Sequence, residues 1–342
     1  MLVPVAAFRD APQGDSRELP GHCAVCRASF PESTMRTISL HRLASAFTLA
    51  LTLGAALASA GPATSTVFPP LNSPPSHDHL PGKFVWADLF TTDPAAATKF
   101  YTGLFGWTAH RIEQNGSAYT VFSNGSRPVA GLAPRSASST KRPSRWLGYI
   151  AVDNIRATVA RVSKAGGQVR ALALDFPDRG LQAIITDNEG CPIGMLQSSS
   201  GDTPDVEPMA GDWSWFELYV KQPKVVADFY GKVFDYDVKP DRRTQRKDDF
   251  LLMGKGHERG GVAPLPESDD DGKGDWLGVV RVTSMDETLA RLPALHGEIL
   301  LAPRPAAYES RFAIIADPTG GVLGLVEYVD NAPANPTNPP AK

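Results

Sequence analysis

The chain has 342 residues, 34 basic and 37 acidic side chains and a net charge of −3, with no basic stripe. That length allows two domains, and the even charge excludes an electrostatic case for nucleic-acid binding. The short runs Asp269–Asp271 and Arg242-Arg243 read as solvated loops.

Residues 1–34 read as an upstream extension, with Met35 as the start of the protein. Cys23 and Cys26 form a C-x-x-C in that extension, without the second pair a metal site needs. Residues 36–42 are basic, Leu43 to Leu57 is apolar, and Ala58-Ser59-Ala60 gives a small-x-small cleavage pattern. Residues 35–60 are therefore expected to be a secretory signal peptide, too short for comfortable membrane spanning. The implied location is periplasmic or secreted, without a stable membrane anchor; the alternative is anchoring at the inner membrane by an uncleaved signal. Residues 61–82, rich in Pro, Ser and Thr, read as an extended linker. His77-Asp78-His79 within it reads as solvated tether, since a flexible segment does not pre-organise a metal site.

From Phe84 to Phe90 the residues alternate under strand periodicity, with Phe84, Trp86, Asp88 and Phe90 on one face. Asp93-Pro94 then opens a helix with Asp as N-cap and Pro at the first turn. Its apolar face carries Ala97, Phe100, Tyr101 and Leu104, and Gly106 ends it. Strands are expected at Thr108–Ile112, Ala118–Ser123 and Val129–Ala133, separated by Asn-Gly turns. The same order recurs as a strand over Trp146–Val152, a helix over Asp153–Ala165 and strands at Val169–Ala173, Leu181–Thr186 and Pro192–Gln197. Cys191, at the last strand, reads as a small core residue.

A second copy follows. Trp86, Tyr101 and Phe105 recur 129 residues later as Trp215, Tyr230 and Phe234, and Trp146 and Asp187 recur 130 later as Trp276 and Asp317. Trp213–Val220 is a strand, Pro223–Val233 a helix, and Met285–Leu295 the helix of the last unit. A repeat of this period means two domain-sized copies, expected over 83–199 and 211–329, with a disordered tail at 330–342. The fold class is α+β, with four βαβββ units. A lone sheet of this kind exposes an apolar face and two edges, so pairing of units is expected.

The motifs DLFTTDPAAATKFYTGLFGW, GYIAVDNIRATVARVSKAGGQV and ITDNEGCPIGML, with ELYVKQPKVVADFYGKVFDY and IIADPTGGVLGLVE in the second copy, resemble the vicinal oxygen chelate superfamily. That superfamily includes glyoxalase I, bleomycin-resistance proteins, fosfomycin-resistance enzymes and extradiol dioxygenases. The resemblance covers about residues 83–329 and implies tandem glyoxalase-like domains whose units form two curved half-barrel sheets, each around a cavity. It also implies a divalent metal on two His or Gln and two Glu. Carried onto this chain, those positions fall on Trp86, Leu147, Gly194 and the stretch Val129 to Gly131. In the second copy they fall on Trp215, Leu277, Gly324 and Gly260 to Val262, with Glu258 the nearest acid. None of these side chains is a metal donor. No metal site and no cofactor are therefore expected, and classical glyoxalase I or extradiol dioxygenase chemistry is disfavoured.

The cavities gain indole rings instead. Asp88 and Glu217 stand two residues beyond Trp86 and Trp215 on the same face, and a carboxylate in an aromatic pocket has a raised pKa suited to acid/base work. The alternative is a structural carboxylate, with Arg281 as a partner for Glu217. Tyr119 and Tyr149 are candidate hydroxyls in the first cavity, and Gly194 and Gly324 are expected to leave room above each Trp. The sequence favours an exported protein binding a small apolar or aromatic molecule in a metal-free, Trp-lined cavity. It leaves open a lyase or isomerase using Asp88 or Glu217, a metal at an unrecognised site, and a structural role. A monomer is expected, the duplication replacing a dimer.

Overall fold

The computed structural model describes residues 68–114, 117–135, 144–244, 247–266, 274–306 and 310–328. The signal-peptide region, Cys23, Cys26 and the tail after Glu327-Tyr328 lie outside the described residues. No helix among the described residues is long and apolar enough to cross a membrane.

Two mixed eight-stranded sheets carry the fold. The first copy supplies β1 (Phe84–Thr91), α1 (Pro94–Phe105), β2 (Thr108–Gln114), β3 (Ser117–Asn124) and β4 (Arg127–Pro134). It continues with β5 (Arg145–Ala151), α2 (Ile155–Lys164), β6 (Gln168–Phe176), β7 (Gly180–Thr186) and β8 (Pro192–Ser198). The strand order is β2-β3-β4-β1-β5-β8-β7-β6. β1 runs parallel to β4 and antiparallel to β5, so the two βαβββ units meet at the β1–β5 seam in mid-sheet.

The second copy repeats this with β9 (Trp213–Val220), α3 (Pro223–Phe234), β10 (Asp237–Pro240), β11 (Phe250–Gly254) and β12 (His257–Pro264). Its second unit holds β13 (Asp275–Val282), α4 (Met285–Ala290), β14 (Glu298–Ala306), β15 (Ser310–Ala316) and β16 (Val322–Tyr328). The order β10-β11-β12-β9-β13-β16-β15-β14 matches that of the first sheet strand for strand.

Local chemistry explains the element ends. Asp93 caps α1 by accepting from the Ala96 amide at 3.0 Å, a contact of the kind that contributes about 1 kcal/mol. Gly106 closes the helix in the left-handed region at φ 71°. The expected helix Met285–Leu295 is shorter than read. α4 stops at Ala290, and Pro293–Leu295 forms a separate 3-10 turn. Pro293 has no amide hydrogen to continue the helix, and its ring would clash one turn back.

One large core joins the copies. Phe84 stacks on Phe216 with centroids 4.2 Å apart and planes 6° apart, and Trp213 meets Trp146 at 5.1 Å. This corrects the expected facing of Phe84. The β1–β5 register shifts between Phe84 and Trp86, so the bulge turns Phe84 away from Trp86 and into the junction. β9 repeats the irregularity ahead of Trp215, which places Trp213 in the junction as well.

The linker reading is corrected too. Residues 68–82 do not form a free tether; they lie along the first sheet. Asn72 Nδ2 donates to the Gly201 and Asp202 carbonyls at 2.9 Å, and the Leu80 amide donates to Asp202 Oδ2 at 2.7 Å. Leu71 is buried. His77 and His79 are exposed, as expected of side chains with no site to fill.

Candidate functional site

The face of each sheet turned away from the shared core carries its own apolar cluster. In the first sheet the cluster gathers Val85, Trp86, Tyr119, Val121, Leu147, Tyr149, Ala151 and Leu196. In the second it gathers Trp215, Tyr219, Leu251, Ala263, Leu277, Val279, Phe312 and Val326. Trp86, Leu147, Tyr149 and Tyr119 are thus brought together around Asp88, and Trp215 and Leu277 around Glu217.

Strand register sets the first site. Asp88 pairs with Gly131 on one side and Leu147 on the other, while Trp86 pairs with Tyr149 and Tyr149 with Gly194. Asp88 Oδ1 accepts from Trp86 Nε1 at 2.8 Å and from the Tyr119 hydroxyl at 2.5 Å. Burial pushes both the Tyr119 and Tyr149 hydroxyls well above the usual phenol range, and the Asp88 charge adds to the effect. Both therefore stay protonated as donors. With two donors on Oδ1, Asp88 suits a structural anchor better than a base.

Two groups that sequence reasoning missed complete this site. Arg179 is almost fully buried, and its guanidinium lies 4.0 Å from the Trp86 ring centroid. Its Nε donates to the Pro69 carbonyl at 2.5 Å. The second group is the strap itself. The Phe68 ring lies edge-on to Tyr119 at 4.5 Å and to Phe176 at 4.6 Å, and Leu71 packs beside it. The first concavity is filled by the chain's own N-terminal segment. A Pro- and Ser-rich stretch carries no periodicity, so the apolar Phe68 and Leu71 were the only signal.

Gly194 does not leave open room above Trp86. A Cβ there would meet the Tyr149 ring at 2.3 Å, so the space belongs to Tyr149. Gly324 likewise lies under Phe312 and Val279. The glycines that seat the carboxylates are Gly131 and Gly261. A Cβ on Gly131 would fall 2.1 Å from Asp88 Oδ1, and one on Gly261 would fall 2.2 Å from Glu217 Oε2.

In the second concavity Glu217 pairs in register with Leu277 and Gly261, and Trp215 with Val279. Glu217 Oε2 accepts from Trp215 Nε1 at 2.5 Å. Burial pushes the Glu217 carboxyl up to about 8, and the nearby charges of Asp249 and Asp241 act in the same direction. Arg243 pulls the other way, yet its guanidinium is already bonded to Asp241 at 2.8 Å and to Glu258 at 2.8 Å. At neutral pH this carboxyl is mostly protonated, as expected of an acid in an apolar setting.

Arg281 is not the partner of Glu217. It donates to the Pro208 carbonyl at 2.7 Å and lies 4.8 Å over the Tyr328 ring. Its place four residues beyond Leu277 carries it past Glu217 to the chain segment between the copies. Glu258, the nearest acid to the carried-over fourth position, is engaged by Arg243.

A divalent metal of the implied kind does not fit these residues. The carried-over positions present indole, isobutyl and glycine. Among the described residues no three His, Cys, Asp or Glu side chains converge. Cys191 is buried in the shared core, and burial pushes its thiol far up, so it is an inert packing residue.

Comparison with known proteins gives concordant matches. The family model described as Glyoxalase/Bleomycin resistance protein/Dioxygenase superfamily matches residues 83–194. "Putative glyoxylase CFP32" of Mycobacterium tuberculosis is 29% identical over 259 residues, covering 74% of this chain and 98% of that protein. The anthracycline biosynthesis protein DnrV of Streptomyces peucetius is 27% identical over 274 residues, covering 74% of this chain and 96% of that one. Among solved structures, the Mn(II)-bound glyoxalase of Novosphingobium aromaticivorans aligns with a TM-score of 0.52 at 17% identity, covering 73% of this chain and 83% of its own. The 2,2',3-trihydroxybiphenyl 1,2-dioxygenase of Sphingomonas wittichii aligns at 0.52 and 16%, covering 72% and 90%. At these identities the structural matches speak to the fold.

Proposed function

Because this chain belongs to the glyoxalase/bleomycin resistance protein/dioxygenase superfamily, we propose that it uses that scaffold to bind a small apolar or aromatic molecule in the second concavity, without a metal. The observation that carries this reading is the Phe68 ring seated in the first concavity, between Tyr119 and Phe176. There the chain itself supplies an aromatic occupant to a hollow built on Trp86. The second sheet repeats the architecture around Trp215, and among the described residues no strap from outside its own copy joins that cluster. An apolar, aromatic lining with a few convergent polar groups is the usual composition of a small-molecule site.

Thermal-shift screening against small aromatic compounds tests the reading. A ligand at a hundredfold its Kd stabilises the fold by about 2.7 kcal/mol, a rise of several degrees. A panel of such compounds that leaves the melting temperature unmoved removes the reading. Replacement of Val279, the register partner of Trp215, by Trp should abolish any shift found.

The raised Glu217 carboxyl supports a second reading, a lyase or isomerase in which Glu217 holds and returns a proton. Turnover of a bound compound, lost in Glu217→Gln with binding retained, separates it from the binding role. We further propose that the protein is exported as a monomer. Cleavage after Ala60 leaves the strap that starts at Phe68 intact, and mass spectrometry of the mature N-terminus should find Gly61.

A further inference from the structure

The two concavities differ in what their carboxyls have left to give. Asp88 receives Trp86 Nε1 and the Tyr119 hydroxyl on one oxygen, with Arg179 near enough to act on the same tyrosines. Glu217 has one hydrogen bond, from Trp215 Nε1 to Oε2. Leu277, Val279 and Phe312 surround the same floor and offer it no polar atom. The position that holds Tyr119 in the first sheet holds Asp249 in the second, since Val121 and Leu251 face the equivalent glycines Gly131 and Gly261. A phenol that donates has been replaced by an acid, so Glu217 keeps its proton rather than receiving one.

We infer that the second concavity selects neutral aromatic molecules that carry a carbonyl oxygen, and that Glu217 donates its carboxyl hydrogen to that oxygen. Oε2 accepts from Trp215, so the proton resides on Oε1. A buried donor left unmatched is costly, and a ligand without an acceptor forfeits that contact. The charged groups that act on Glu217 are Asp249, just before β11, and Asp241 and Arg243, from the segment after β10. Arg243 is held by Asp241 and Glu258. No cation is therefore released to Glu217 for an anionic ligand to compete with. Anionic aromatics meet the charges of Asp249 and Asp241 beside Glu217 and are disfavoured.

The inference rests on the binding role proposed above, and the experiment separates the two. Binding of 1-indanone and of indane, which differ by the carbonyl, is measured by titration calorimetry on the full chain. At pH 6.5 indanone should bind at least tenfold tighter, and the preference should fall as pH rises through about 8, where Glu217 ionises. Glu217→Gln keeps an N–H donor, so it should keep the preference and lose its pH dependence. Glu217→Leu should bind both compounds alike. Equal affinity in the parent protein overturns the carbonyl inference while leaving the binding role standing. Failure of both compounds to bind overturns both. An indanone preference that survives in Glu217→Leu assigns the donor elsewhere and also overturns the inference.

Discussion

The Tyr101 hydroxyl on α1 donates to Asp317 Oδ2 at 2.7 Å, across the junction of the two copies. The reciprocal pair is Tyr230 on α3 and Asp187 in the first copy, at 3.3 Å. Trp146 donates to the Tyr101 hydroxyl at 2.9 Å and Trp276 to the Tyr230 hydroxyl at 2.8 Å, each within its own copy. The duplication thus locks itself with two copies of one latch, each tyrosine reaching the DPTG or DNEG turn of the other copy. Asp317 Oδ1 is occupied by the Thr319 and Gly321 amides, so among the described residues Tyr101 is the partner of the other oxygen.

Removing that partner tests the latch. Tyr101→Phe leaves a buried carboxylate without its charge-assisted bond, a loss of about 1.5–3 kcal/mol. Tyr230→Phe should cost less, because its bond is longer. Chemical denaturation should rank the two variants in that order. Equal destabilisation would mean that ring packing, which both variants keep, carries the junction.

The strap gives a second prediction. Leu71 is 3% exposed, and Leu-to-Ala changes at such sites cost about 2–5 kcal/mol. Here the loss is local, since the segment hangs on the sheet by Leu71, Phe68 and the Asn72 contacts. Leu71→Ala should therefore speed limited proteolysis within residues 68–80 and raise the fluorescence of a hydrophobic dye, with the melting temperature of the sheets little changed. Protection equal to the parent's would show that the Arg179 and Asn72 bonds alone hold the strap.

Much of this was legible in the sequence, and the misses have physical causes. Paired landmarks at 129–130 residues, together with strand and helix periodicity, revealed both copies and the burial of Trp86, Tyr119, Leu147 and Tyr149 around Asp88. The facing of Phe84 was lost because period-two alternation assumes an unbroken pleat, and one bulge inverts every residue on one side of it. Arg179 was missed because its bond to Pro69 spans 110 residues of chain, and Phe68 because it lies in a segment with no periodic pattern. Arg281 was assigned to Glu217 from proximity on a neighbouring strand. Spacing along a strand says nothing about where a long, flexible side chain ends.

Gly131 supplies a test of the first site's packing. Its Cβ would stand 1.8 Å from the Tyr119 oxygen and 2.1 Å from Asp88 Oδ1. Neither can retreat, because Tyr119 is backed by Phe68 and Asp88 is fixed to β1. Gly131→Ala should therefore break the Trp86–Asp88–Tyr119 triangle and destabilise by about 1–3 kcal/mol through overpacking. Gly125→Ala, at a turn with open space beyond a Cβ, is a poor control because of its φ of 60°. Gly231→Ala on α3, whose nearest contacts lie at 3.2 Å, is the better one and should be much milder. Comparable losses in the two would assign the effect to general crowding.

Glu217 makes stability depend on pH in a direction that can be stated in advance. Its carboxyl sits at about 8 in the folded protein against an unperturbed 4.5. The folded state thus binds more protons than the unfolded state between those values. Stability from this group is full below about 4.5 and is lost as pH rises through about 8, with a slope of at most about 1.4 kcal/mol per pH unit. Asp187, raised by burial to about 6, contributes a fall of the same sign that is complete soon after pH 6. The decline between pH 6.5 and 8.5 therefore belongs to Glu217. Urea unfolding at pH 5.0, 6.5 and 8.5 should show Glu217→Gln losing that upper decline and keeping only the Asp187 share of the lower one. Parent and variant curves that run parallel across the upper window would mean that Glu217 is ionised in the folded protein at neutral pH. The proton it is proposed to donate would then be absent.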